Sequence, residues 1–168
     1  GKAGAKFDIQ KAKWYNQQYL RAKTDEELAR YLLHDLKELG IVCDKEKAAS
    51  IANALRERIT FPSDMIELGR FFFIAPETFD EKIAAKKWND EAVAVISSLK
   101  DEIAIIENLT AEAAASILEQ VTARLAIPQG KIMQALRMAL TGGASGPDLM
   151  ITMAILGNHE VSTRLDYC

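Results

Sequence analysis

Helix starts and stops punctuate this chain from end to end, and no stretch between them alternates apolar and polar residues with a period of two. Thr24-Asp25-Glu26-Glu27 reads as a capping box, in which a threonine hydroxyl and a glutamate three residues on serve the unpaired amides of a first helical turn. Apolar Leu28, Tyr31/Leu32 and Leu36 follow at helical spacing, and Gly40 stops the run. The same grammar recurs. Asp8 is placed to cap a first helix ending near Ala22, with Ile9, Ala12, Tyr15/Asn16 and Tyr19/Leu20 on its apolar side. Asp44 precedes Ala48, Ile51/Ala52 and Leu55, and Phe61-Pro62-Ser63-Asp64 opens a segment that should bury Met65, Leu68 and Phe71/Phe72. Asn89 precedes Val93, Ile96/Ser97, Ile103 and Ile106, and Thr110 precedes Ile117/Leu118, Val121 and Leu125. Pro128 introduces Met133, Leu136 and Leu140, and Pro147 restarts a helix that Gly157 stops before a short last one. No unit repeats at fixed length. The expectation is an all-α protein of two consecutive helical bundles.

Ile74-Ala75-Pro76 is the strongest break in the first half and divides the chain into residues 1–75 and 76–168. At 168 residues, with 49% hydrophobic and 27% charged side chains, such a chain can bury a real core. No apolar run approaches the roughly 20 residues of a membrane helix, so no membrane contact is expected. The opening GKAGAKFDIQ lacks the apolar stretch of a signal peptide and reads as the interior of a longer protein. Cys43 and Cys168 have no second cysteine or histidine at zinc-ligand spacing; between a disulfide joining them and a reduced, cytoplasmic protein without a metal, the reduced protein is the expectation.

Charge is uneven. The formal net charge is −3, which argues against a general grip on DNA or other nucleic acid. Residues 1–60 carry 12 Lys/Arg against 9 Asp/Glu, whereas residues 61–110 carry 5 against 10. A positive surface is therefore expected on the first third, and a middle segment that repels phosphate.

Chemistry-bearing residues are few. The sequence has no GxGxxG, no GxxxxGK[ST] and no HExxH, and its two histidines, His34 and His159, lie far apart without an evident partner. Carboxylates such as Asp80-Glu81 sit at helix starts, where the helix dipole favours them. Trp14 and Tyr15 share a helix with Lys11, Lys13 and Arg21, a mixture that can stack on bases but at helical spacing more often forms a half-buried face. Phe71-Phe72-Phe73 reads as core. Arg56-Glu57-Arg58 closes a helix, where two arginines suit either the dipole or a nucleotide. The stretch ALRMALTGGASGPDL, residues 135–149, sets Arg137 beside a loop of small residues whose backbone a ligand could approach. Taken alone it reads more readily as a tight helix connection with a solvated arginine.

Three segments together are more specific. FDIQKAKWYNQQYLRAKTDEELA, ALRERITFPSDMIELGRFFF and GKIMQALRMALTGGASGPDLM with its following ILGNHE resemble, in order, the C-terminal anticodon-binding region of bacterial glutamyl-tRNA synthetases. The resemblance covers nearly the whole chain, least distinctively in its acidic middle. It implies two helical bundles that grip the anticodon loop of tRNA-Glu while a catalytic half, absent here with its ATP and magnesium, attaches glutamate. This part alone would then be catalytically inactive and bind no cofactor. By the family's ALR-x-AL-T/S-G pattern, Arg137 would contact anticodon bases, and Pro147 and Leu149 match the loop that follows it. Gly146 stands where some members carry threonine, and Ser145 lies one residue early. The arginine that reads the third anticodon base in some members falls on Arg56, with Arg58 the alternative two residues on. Leu156-Gly157-Asn158-His159 replaces the family's LGKE and loses its lysine. The competing reading is a helical protein-interaction scaffold with no RNA role, for which the lack of a broadly basic charge speaks.

Overall fold

The computed structural model describes residues 2–166, and the side chains of residues 8–166. Cys168 lies outside them. The described residues are helical with no strand, the all-α architecture expected, and the chain divides into two compact units, Gly1–Phe73 and Ile74–Cys168.

In the first unit, α1 (Lys2–Arg21) is followed by α2 (Asp25–Glu38) and α3 (Lys45–Leu55), which pack on each other. The Thr24 hydroxyl accepts from the Glu27 amide at 3.1 Å and the Asp44 carboxylate from the Lys47 amide at 2.7 Å, so both caps form where the sequence places them. Leu28, Leu32 and Leu36 of α2 meet Ile51 and Leu55 of α3 in a core closed by Ile59, Met65 and Phe72. A 3₁₀ turn (Arg56–Arg58), the short α4 (Asp64–Leu68) and a second 3₁₀ turn (Arg70–Phe72) finish the unit. Leu68, expected inside, is 44% exposed at the C-terminal end of the five-residue α4.

The first helix also departs from expectation. Asp8 lies within α1 and not at its cap, since the helix runs from Lys2. Of its apolar side only Leu20 is buried, while Ile9, Trp14, Tyr15 and Tyr19 are all more than half exposed. Polar groups clasp its last turns. Asn16 donates to the Thr60 carbonyl, Gln17 Nε2 to Thr60 Oγ1 at 3.0 Å, and Arg21 Nε pairs with Glu57 at 3.0 Å.

The second unit comprises α5 (Glu81–Lys87), α6 (Asp90–Ala104), α7 (Ala111–Arg124), α8 (Met133–Thr141) and α9 (Leu149–Asp166). Asn89 and Thr110 cap α6 and α7 as expected, each accepting a backbone amide at 3.0 Å. Helices α6 to α9 enclose the core, with α6 contributing Ala92, Val95, Ile96, Leu99 and Ile103; Val93 lies one position off that stripe and is exposed. Pro147 is followed by Asp148, whose carboxylate accepts from Ile151 at 2.9 Å and is the actual cap of α9. Gly157, at φ 83° and ψ 163°, puts a non-helical kink inside α9 at the position read as a stop.

One buried polar side chain holds this unit's end together. Arg164 on α9 is 5% exposed, and its Nη1 donates at 2.8 Å to the carbonyl of Leu140, one of the last carbonyls of α8. Glu160, one turn earlier, accepts from its Nε at 2.9 Å. Arg164→Met should therefore destabilise this unit by about 1–3 kcal/mol, since it strands a buried acceptor and an ion-pair partner. Chemical denaturation of the variant against the parent checks this; an unchanged midpoint would show that the arginine carries no stability.

Candidate nucleic-acid interface

Two arginine-bearing corners, one in each unit, come from the residues singled out in the sequence. In the second unit the corner is built by the way α8 stops. Gly142 takes the left-handed conformation, φ 81°, and its amide donates at 2.7 Å to Met138. A Cβ there would lie 2.8 Å from Pro76 Cβ and 2.9 Å from the Thr78 carbonyl oxygen, so only glycine fits. The Gly142 carbonyl in turn accepts from the Asp80 amide at 3.1 Å, which pins the loop to the segment before α5. Thr141 Oγ1 donates to the Arg137 carbonyl at 2.9 Å and accepts from Gly143 at 3.4 Å. The loop is a fixed turn and not a slack connector.

Arg137 is half-buried against this turn. A Cβ on Gly146 would lie 3.0 Å from its Nη1, tighter than a side chain normally tolerates. A larger side chain at this position would require the guanidinium to shift by a few tenths of an ångström. Pro147 and Leu149 are both buried, with Leu149 in the core. They hold the loop from beneath and present no surface to a ligand. Ser145 and Ala144 are exposed between them and Gly143.

In the first unit the two arginines of Arg56-Glu57-Arg58 have opposite fates. Arg56 is clamped: its guanidinium donates to the Arg21 carbonyl at 3.1 Å and to the Lys23 carbonyl, and it pairs with Asp25. Asn53 donates to the same Asp25 oxygen at 3.2 Å. These bonds tie the end of α1 and the start of α2 to the end of α3. The assignment of Arg56 as a base reader therefore meets a physical objection, because its donors already serve the protein. Arg58 is exposed, with no hydrogen-bond or ion-pair partner among the described residues.

The remaining candidates separate clearly. His34 and His159 are exposed, and His34 reaches only its neighbour Asp35, at 3.4 Å. No group of three or more His, Cys, Asp or Glu side chains converges as a metal site among the described residues. Cys43 is half-buried, and burial pushes its thiol pKa up, away from the reactive thiolate. No helix is long and apolar enough to cross a membrane among the described residues. Arg164, with one of its donors on α8, was not singled out in the sequence; a lone arginine in the last apolar turn, VSTRLD, is the signal that marks it.

Residues 12–168 match the family model described as an anticodon-binding domain. The chain belongs to that family. Among curated relatives of this anticodon-binding domain, the glutamate–tRNA ligase of Cytophaga hutchinsonii is 48% identical over 99% of the chain and that of Amoebophilus asiaticus 39% identical over 98%. The chain spans about a third of each, 32% of their length. A crystal structure of a glutamate tRNA ligase from Elizabethkingia meningosepticum, in complex with its amino acid, superposes with a TM-score of 0.88 at 34% identity, over 94% of this chain and 31% of that one. The glutamate-tRNA synthetase of Elizabethkingia anophelis gives 0.83 at 32% identity, with the same coverage of both chains.

The two arginines of the first corner of this anticodon-binding domain should separate on mutation. Arg56→Ala should lower the stability of the first unit by about 1–3 kcal/mol, because carbonyls and Asp25 lose their partner. Arg58→Ala should stay within about 0.5 kcal/mol of the parent, as an exposed substitution does. Thermal unfolding of both variants distinguishes them; equal losses would contradict the clamp.

Proposed function

We propose that this chain is the anticodon-reading part of a glutamate–tRNA ligase, and that its two units are successive anticodon-binding subdomains. The observation that carries the proposal is the turn after α8, where Arg137 is held against Gly146 beside exposed loop backbone. Bases of a single-stranded loop splay out and offer their Watson–Crick edges, which forked arginine donors and bare amides can address. A wrong base would leave a positioned donor unpaired, so such a site can discriminate strongly. Pro147 and Leu149 serve by fixing the loop from the core side, and Arg58 takes the base-contacting role in the first unit, with Arg56 fixing the turn that carries it.

The ligase activity itself, with ATP and magnesium, belongs in this reading to the part of the polypeptide that the longer relatives carry in addition. That part is also the proposed partner for the exposed Ile9, Trp14, Tyr15 and Tyr19 of α1. The whole would act in the cytoplasm, where tRNA is charged.

Binding of tRNA-Glu transcripts carrying single anticodon changes tests the proposal. The 168-residue chain should prefer the glutamate anticodon, and Arg137→Ala should cost about 1–3 kcal/mol of binding and flatten that preference while helical content stays unchanged. Equal binding of every anticodon variant by the parent chain would overturn base reading and leave the interaction-scaffold alternative. In the whole ligase, Arg58→Gln should raise glutamylation of tRNA-Gln relative to tRNA-Glu; an unchanged ratio would remove Arg58 from third-base recognition.

A further inference from the structure

Among the described residues Arg164 is the only charged side chain that is buried. The two other buried polar side chains, Thr122 and Thr152, each turn a hydroxyl back on the carbonyl four residues earlier, at 2.8 Å. Of the three, Arg164 alone reaches a different helix. Its Nη1 ends on the Leu140 carbonyl of α8 and its Nε on Glu160, so one flat guanidinium spans a helix end and a carboxylate. Glu160 and Arg164 both follow the kink at Gly157, which sets the direction of the last turns of α9.

What Arg164 holds is the turn that carries Arg137. Leu140 lies three residues after Arg137, on the same face of the end of α8, and Thr141 and Gly142 follow at once. Three carbonyls of that turn take donors: Arg137 from the Thr141 hydroxyl at 2.9 Å, Met138 from the Gly142 amide at 2.7 Å, and Leu140 from Arg164 at 2.8 Å. The first two donors belong to the turn and move with it. The third ties it to α9. A buried ion pair is a weak source of net stability, because desolvation offsets much of its attraction, but its directional bonds admit one arrangement. Apolar packing lets helices slide slightly past one another, whereas a guanidinium with two donors engaged resists such a shift.

We propose that Arg164 is a positioning residue for anticodon reading: oriented by Glu160, it fixes the end of α8 so that Arg137 keeps one aim against Gly146. The proposal rests on the anticodon-binding reading above and deepens it, adding a specificity-determining residue that lies in the interior and contacts no ligand.

Two measurements test it, one without RNA and one with it, on 168-residue chains that circular dichroism shows to be folded. In the free chain, the Nε–H cross-peak of Arg137, assigned by its absence from Arg137→Ala, reports the setting of that guanidinium. Arg164→Met should shift or broaden the peak, and Glu160→Leu should do so less. Glu160→Gln, which keeps an acceptor oxygen, should leave it as in the parent. Val121→Ala, a cavity in the same core on α7, controls for lost stability and should also leave the peak in place.

With RNA, discrimination is the Kd for a tRNA-Glu transcript with one changed anticodon base divided by the Kd for the unchanged transcript. Arg164→Met should lower it at least about fivefold, the lower range of what one arginine–base contact supplies, while Val121→Ala keeps the parent's value. Added to Arg137→Ala, Arg164→Met should lower it no further, whereas residues acting independently would multiply their effects. If Arg164→Met does not fold, Glu160→Leu, which leaves Arg164 in place, carries the same comparison. An unmoved Arg137 peak, parental discrimination in Arg164→Met, or an equal loss in Val121→Ala would overturn the positioning role and leave the anticodon reading intact. A displaced Arg137 peak, with a parent chain that binds every anticodon variant alike, would keep Arg164 as the clamp on Arg137 and sink the anticodon reading.

Discussion

Everything at the proposed RNA-facing end of the second unit depends on how α8 is brought to a stop. A helix end exposes carbonyls that must find donors, and in a packed interior water cannot supply them. Here Arg164 reaches from α9 to the Leu140 carbonyl, and Gly142 folds its own amide back to Met138. With those groups satisfied, the chain can turn sharply inside the protein, and the turn is short enough to set Arg137 against Gly146. Loosening either bond would leave the same side chains present but unaimed, and aim is what recognition of a base edge requires.

Two arginines in ALRERIT look interchangeable as a sequence, and the local helix type separates them. Arg56–Arg58 is a 3₁₀ turn, with about three residues per turn, so side chains two apart point about two-thirds of a turn away from each other. One must face the protein if the other faces out. The inward position meets Asp25 and two backbone carbonyls, and a guanidinium with its rigid fork of donors is the side chain that can satisfy all three. Lysine there would leave at least part of that arrangement unpaired. The family resemblance implies a base-reading arginine at Arg56, with Arg58 the alternative; the proposal for Arg58 rests on the packing of α1, α2 and α3, which no linear motif displays.

The elements themselves were largely legible. Caps at Thr24, Asp44, Asn89 and Thr110 are local devices, each decided by one side chain and an amide three residues on, so they survive translation from sequence to structure. Registers that depend on neighbours fared less well. Val93 and Leu68 satisfy helical spacing and yet face solvent, because the stripe that packs is chosen by the opposing helices. The C-terminus of α7 was marked only by Pro128, since the left-handed residue that ends it is Ala126, at φ 54°, where glycine is the usual sign. The site residues divide in the same way. Arg137 and its glycine loop were visible as a pattern, but Arg164 and the Asp80–Gly142 bond join residues 24 and more apart and leave no local trace.

Net charge was the weakest guide, for a reason that bears on how this fold meets RNA. Summed over residues 61–110 the chain is acidic, and a uniformly acidic surface would repel phosphate over a distance of about 8 Å at physiological salt. Within that range a ligand meets particular groups and not an average. Glu91 and Glu102 are drawn towards Lys131 and Arg124, at 3.7 and 2.9 Å, and are partly neutralised. The lysines of α5 have no such partners among the described residues. Pairing therefore redistributes the field within the segment, whose lysines Lys82, Lys86 and Lys87 sit together on one short helix. A module of this kind would be repelled by most of a nucleic acid's surface and drawn to one small part of it. In the proposed reading, that trades overall grip for placement.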